Sequence, residues 1–120
     1  MRGDYTYNEN QVCLNPEELI IVAGICEIQY APAGKFWCAG LDISTESAGC
    51  GYPCAVSKYR KHETKESAIK ERLKDALNWF DHYKTSKHYS KVTAALKKQL
   101  ESFGFVPEEK NQEIGQLSLF

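Results

Sequence analysis

The chain has 120 residues, 42% hydrophobic and 26% charged, with a net charge of −1. This length fits a single domain, and the composition excludes wholesale disorder, a collagen-like chain and a disulfide-stapled miniprotein. No run approaches the roughly 18 apolar residues of a membrane span, and the polar stretch Tyr5–Gln11 after the start predicts no secretory signal, hence a cytoplasmic protein.

Residues 1–16 are polar, end in Asn15-Pro16, and read as an N-terminal arm or short edge element. Residues 17–105 read as one α+β domain. Leu19 to Tyr30 is rich in β-branched residues and its later half alternates apolar with polar, which predicts one strand. Ala31-Pro32-Ala33-Gly34 is a turn signal, and Lys35 to Ser44 predicts a second strand closing an antiparallel hairpin. Gly49, Gly51 and Pro53 predict a loop over Glu46 to Pro53, and Cys54 to Tyr59 a short third strand. The period then changes. Ile69, Leu73, Ala76, Leu77, Phe80 and Tyr83 form one helical stripe, with Thr64 as N-cap and Glu66 in the first turn. Tyr89, Val92, Leu96, Leu100 and Phe103 form a second stripe, and Gly104 sits where a C-cap belongs. Two sequential helices on one face of a small antiparallel sheet give the order β-β-(β)-α-α. Residues 106–120 begin as a polar tether with Pro107 and Gly115.

Charge is partitioned along the chain. Residues 1–57 carry two basic and seven acidic side chains, residues 58–98 twelve and five, and residues 99–120 one and four. The basic middle segment makes Lys58, Arg60, Lys61, Lys65 and Arg72 candidate phosphate contacts, and DNA a candidate partner. Lysine outnumbers arginine there by ten to two, which fits phosphate positioning better than base reading. The alternative is a solvated helical face.

Five cysteines, an odd number, predict free thiols in a reducing compartment. Cys26 and Cys38 fall in apolar strand runs and read as small buried hydrophobes. Cys50 and Cys54 have a CxxxC spacing, but a closed zinc site needs four ligands. Cys13, His62, His82 or His88 would have to complete it, and no second pair is present, so no metal or cofactor is expected. His62, His82, His88, Asp42, Asp75 and Asp81 follow no triad or HExxH spacing, and Gly49-Cys50-Gly51 lacks the lysine of a P-loop. The expectation is a non-catalytic protein.

After the tether come Gln116-Leu117-Ser118-Leu119-Phe120. Three large apolar residues following a polar segment suit a short linear motif, whose few anchors fill pockets on a partner. The pentapeptide resembles the one with which bacterial polymerases and repair factors bind the replicative sliding clamp: glutamine, leucine, a small or acidic residue, leucine, phenylalanine. All five positions match. The resemblance implies Gln116 as polar anchor at the pocket rim, Leu117, Leu119 and Phe120 as apolar anchors, and Ser118 as spacer. The alternative is a last edge strand packed on the domain. In the body, Trp37, Gly40, the Gly49/Gly51/Pro53 loop, Ser57 and Thr64-Lys65-Glu66-Ser67-Ala68 are similar to small α+β domains of bacterial mobile elements and to the arm-binding domain of phage integrases. Those domains read DNA with a basic sheet face, whereas Phe36–Ser44 carries no basic residue and one acid, Asp42. Together these readings lead to the expectation of a phage or mobile-element protein that docks on the bacterial sliding clamp. The alternative is a DNA-binding or host-factor-binding, anti-defence module with a structural tail.

Overall fold

A computed structural model describes residues 4–46, 48–56 and 61–104. Its order is β1 (Glu17–Val22), β2 (Cys26–Ala33), β3 (Phe36–Ser44), β4 (Gly49–Tyr52), α1 (Lys65–Asp81) and α2 (Tyr89–Ser102). The four strands form one antiparallel sheet in sequence order, β1-β2-β3-β4. The α+β class holds, with four strands where two or three were expected.

The strand count differs for two local reasons. The apolar run from Leu19 to Tyr30 is two strands, because Ala23-Gly24-Ile25 turns the chain. Gly24 adopts φ +77°, the Ile25 N–H donates to the Val22 carbonyl at 2.9 Å, and Val22 pairs with Cys26. The expected loop at Glu46–Pro53 contains β4, which pairs Gly49–Tyr52 with Leu41–Ser44. Its glycines are strand residues in close approach to a neighbour: a Cβ on Gly49 would lie 2.9 Å from the Ile43 carbonyl oxygen. Of the third strand expected over Cys54 to Tyr59, the described part holds an isolated bridge between Ala55 and Val12; residues 57–60 lie outside the described residues.

The helices follow their stripes. Thr64 caps α1, its Oγ1 accepting from the Ser67 N–H at 3.0 Å. Ile69, Leu73, Ala76 and Phe80 of α1 and Val92, Leu96 and Leu100 of α2 are buried. They meet Cys26 and Ile28 of β2 and Leu41 and Ile43 of β3 in one core. Tyr83 departs from the expected stripe: it is 37% exposed and stacks on Trp79, ring centroids 4.2 Å apart. α1 lies over β2 and β3, and α2 over β1. Gly104, at φ +83°, follows the end of α2 as expected. Between the helices, Glu46 accepts from the Lys87 N–H and the Ser86 hydroxyl, each at 3.1 Å, and so ties the end of β3 to the start of α2.

The opposite face of the sheet is not left to water. Cross-strand pairing puts Cys26/Ile43 and Ile28/Leu41 toward the helices, and Glu27/Asp42, Gln29/Gly40 and Ala31/Cys38 away from them. Ala31 and Cys38 are fully buried because residues of the expected arm, Tyr5, Tyr7 and Cys13, cover them together with Cys54 and Val56. The arm is a small hairpin. Asn8 Oδ1 accepts from the Asn10 and Val12 N–H groups at 2.8 and 3.0 Å, and Leu14 N–H donates to the Thr6 carbonyl at 2.8 Å. The Tyr7 hydroxyl donates to the Pro32 carbonyl. After β4 the chain crosses over Gly40, where a Cβ would sit 2.6 Å from the Cys54 nitrogen and 2.7 Å from the Pro53 carbonyl carbon. Those neighbours are backbone and cannot rotate away. Gly40→Ala should therefore cost about 2–3 kcal/mol through overpacking. Gly24→Ala, with open space but positive φ, should cost about 1 kcal/mol. Urea unfolding of the two variants checks the order.

Candidate functional site

With α1 over β2 and β3, the inward residues of β4 are left beside its open flank. Cys50 and Tyr52 pair with Ile43 and Leu41 and so share the helix-facing side of the sheet. They form one wall of a groove of about 520 Å³, and Asp75, Asn78, Trp79, His82 and Tyr83 of α1 and its end form the other. The helical period brings those side chains together, since 75, 78, 79, 82 and 83 recur at steps of three, one, three and one.

The groove is aromatic at one end and polar at the other. Trp79 packs edge-on against Phe80 at 5.0 Å and presents a face to Tyr83. At the polar end the Tyr52 hydroxyl donates to Asp75 Oδ2 at 2.6 Å, and Arg72 Nε stands 3.0 Å from the same oxygen. The guanidinium also lies over the Tyr52 ring, 5.4 Å from its centroid. His82 Nδ1 is 2.9 Å from the Asn78 carbonyl oxygen. Burial, then the carboxylates of Asp75 and Asp42, raise the Cys50 thiol above its ordinary value. Cys50 is thereby kept a neutral thiol, the reverse of what an activated nucleophile requires.

Arg72 is the most tightly enclosed charge near this wall, at 6% exposure. Its Nε is close to Asp75 but misaligned for a hydrogen bond, and its Nη1 has no hydrogen-bond partner. The ion pair with Asp75 is thus what compensates the buried charge. His62 Nε2 is likewise buried without a partner. His62 extends the sheet edge beyond β4 by a two-way backbone bridge with Trp37, at 2.7 and 2.9 Å. Burial, then Arg72, lowers its pKa below the ordinary 6.5, against the weaker opposing pull of Glu71 and Asp75.

The expected site residues are placed as follows. Gln116, Leu117, Ser118, Leu119 and Phe120 lie outside the described residues, as do Lys58 and Arg60. Lys61 is exposed, its Nζ 5.1 Å from the Phe36 ring centroid. Lys65 opens α1 half-buried. Arg72 does not share the solvent-facing lysine surface: its i, i+3 spacing with Asp75 and its place beside Leu73 turn it toward Tyr52, and it is buried. The CxxxC pair is split by the strand period and the chain crossing, with Cys50 on the helix side of the sheet and Cys54 on the opposite side. Among the described residues no three of His, Cys, Asp and Glu are placed to hold a metal ion. No helix among them is long and apolar enough to cross a membrane. The groove itself escaped sequence reading. Its signal was Trp79 beside the apolar stripe, four residues before Tyr83 and so on the same side of the helix.

No known protein family matches the chain, and comparison with curated proteins and with solved structures likewise finds no match.

Asp75→Ala should cost about 1–2 kcal/mol, because it leaves a buried guanidinium without its counter-charge; the 41% exposure of Asp75 keeps the cost below that of a fully buried pair. Lys74→Ala, which breaks the exposed 3.1 Å pair with Glu71, should stay within about 0.5 kcal/mol. Denaturant midpoints separate the two. For His62 the unfolded chain takes up a proton near pH 6.5 while the folded chain resists it. Its contribution to stability is therefore complete above that pH and lost as pH falls through the lowered folded value. The urea midpoint should drop on acidification from neutrality to about pH 5, and His62→Asn should flatten that part of the profile.

Proposed function

We propose that this chain is a small non-catalytic interaction protein of a phage or mobile element that docks on the bacterial replicative sliding clamp through Gln116-Leu117-Ser118-Leu119-Phe120. The observation that carries this reading is the five-position match of that peptide, preceded by the polar segment of residues 106–115. A few apolar anchors on a polar tether bind weakly per contact but reach a pocket without a large preformed interface. The ten residues from 106 to 115 could span at most about 36 Å if fully extended, ample to separate a body from a ring-bound peptide. In this reading the peptide gives location, and the α+β body meets a second partner.

A second reading is supported by the basic segment, twelve basic against five acidic side chains over residues 58–98. There the body contacts DNA or a host factor, and the tail packs on the domain. One experiment separates them. Full-length protein and a variant lacking residues 116–120 are compared for capture by immobilised sliding clamp and for retention on duplex DNA across a salt series. The clamp reading expects capture to be lost on deletion. Capture unchanged by the deletion overturns it, and DNA retention that falls steeply with salt then supports the second reading.

A further inference from the structure

The outer face of the sheet carries chemistry that neither docking nor DNA contact uses. Cys38 stands on β3, facing away from the helices, and Cys54 follows β4 as the chain crosses back over Gly40. The crossing is close enough that Gly40, two residues from Cys38 on the same face, has no room for a side chain. This close passage brings the two sulfurs to 3.6 Å. Each sulfur also makes a long contact to a backbone carbonyl, Cys38 Sγ to that of Ala31 at 3.5 Å and Cys54 Sγ to that of Cys38 at 3.6 Å.

The pair differs internally in a way that suits stepwise oxidation. The thiol of Cys54 hydrogen-bonds to Cys38 and holds Cys38 below the ordinary thiol range, in spite of burial. The same contact, then burial, pushes Cys54 up. A thiolate at Cys38 is the one this contact favours, with the Cys54 sulfur placed 3.6 Å away to resolve it.

We propose that Cys38 and Cys54 form a peroxide-sensitive thiol pair that closes to a disulfide and fastens the chain crossing to β3. In the first step the Cys38 thiolate attacks one oxygen of hydrogen peroxide, the O–O bond breaks, and the departing hydroxide takes a proton. Cys38 becomes a sulfenic acid and one water is released. The Cys54 sulfur then attacks the Cys38 sulfur, the S–O bond breaks, and the hydroxide leaves with the Cys54 proton as a second water. Two thiols lose two electrons, and one peroxide becomes two waters. The sulfurs must approach from 3.6 Å to the bond length of about 2.05 Å.

Access selects the oxidant. Cys38 and Cys54 are 0% and 3% exposed, beneath Tyr5, Tyr7 and Cys13 of the N-terminal hairpin. A peptide-sized disulfide cannot enter there, whereas peroxide is little larger than water and needs only a small opening of the hairpin. The remaining thiols are differently placed. Cys26 lies in the helix-side core, where burial, then Asp42, Glu27 and Cys50, pushes it to about 12. Cys13 flanks Cys54, its N–H donating to the Cys54 carbonyl at 2.8 Å, and is the rival partner.

The test uses the folded full-length chain carrying Cys50→Ser, which removes the half-buried thiol able to link two molecules and leaves four of the five cysteines. After hydrogen peroxide treatment, free thiols are alkylated and the protein is cut after glutamate, because cleavage at Glu46 separates Cys38 from Cys54. The expected result is loss of two of the four reactive thiols, a single linked peptide pair joining Cys38 to Cys54, and recovery of both thiols with dithiothreitol. Retention of all four thiols overturns the proposal. So does a link of either residue to Cys13, or oxidation that dithiothreitol does not reverse.

Discussion

The close passage of the chain over Gly40 organises this molecule. A strand that ends at Tyr52 would ordinarily continue along the sheet edge. Here Pro53 and Cys54 instead cross the outer face at backbone contact distance, which a side chain at position 40 would forbid. Three consequences follow from that one contact. β4 is cut to four residues, so its inward side chains Cys50 and Tyr52 face the open flank of α1. Cys54 lands beside Cys38. The segment at residues 55–56 then lies where the N-terminal hairpin can pair with it, through Val12 and Ala55 and through the Val56 N–H to the Gln11 carbonyl at 2.9 Å.

The sheet consequently has two unlike interiors. On the helix side, Phe80, Leu73, Leu96 and Leu100 meet Ile28, Leu41 and Ile43, and burial of these large side chains supplies most of the driving force for folding. On the other side the filling residues are small: Ala31, Cys38, Cys54 and Cys13. Small residues are what a backbone crossing demands, since large ones would hold the covering segment away from the sheet. They also bury little apolar area. The outer layer therefore relies on hydrogen bonds of the Asn8 turn, of the Thr6 N–H to Asn15 Oδ1 at 2.8 Å and of the Tyr5 hydroxyl to Glu17 at 2.9 Å. A layer held this way opens at a lower cost than the helix-side core.

The two interiors also explain what could be read in advance. The helices were legible because seven buried side chains of α1 and α2 repeat at three and four residues over long segments. The division of Leu19–Tyr30 was not, because Ile20, Ile21 and Val22 run almost unbroken into Ile25, and Gly24 alone marks the reversal. β4 was hidden by its own glycines, which argue for a loop until Ile43 and Leu41 are seen lying against them. The convergence of Cys13, Cys38 and Cys54 depends on a chain crossing and a hairpin returning to the same place, and no local pattern records it. One trace was present: the outward positions of β2 and β3 change from Glu27, Gln29 and Asp42 to Ala31 and Cys38, a change from polar to small that marks where something lies on top. In the groove, Trp79 and Tyr83 were visible as residues, but Tyr83 counted as core until its stacking on Trp79 placed it at the surface.

The surfaces of this domain differ in how far they are already satisfied. The Asp75 carboxylate is engaged by Tyr52 and Arg72, and Arg72 in turn is enclosed, so the polar end of the groove is a fixed structural element with little charge left to offer a partner. Trp79 and Tyr83 at the other end meet solvent with one stacked face between them and no polar obligation beyond their edges. A partner seated there gains mainly from burial of aromatic surface and only slightly from charge, so its affinity should be largely insensitive to salt. Contact with phosphate through the exposed lysines would behave in the opposite way. Salt sensitivity thus distinguishes an aromatic contact at the groove from a phosphate contact at the lysines.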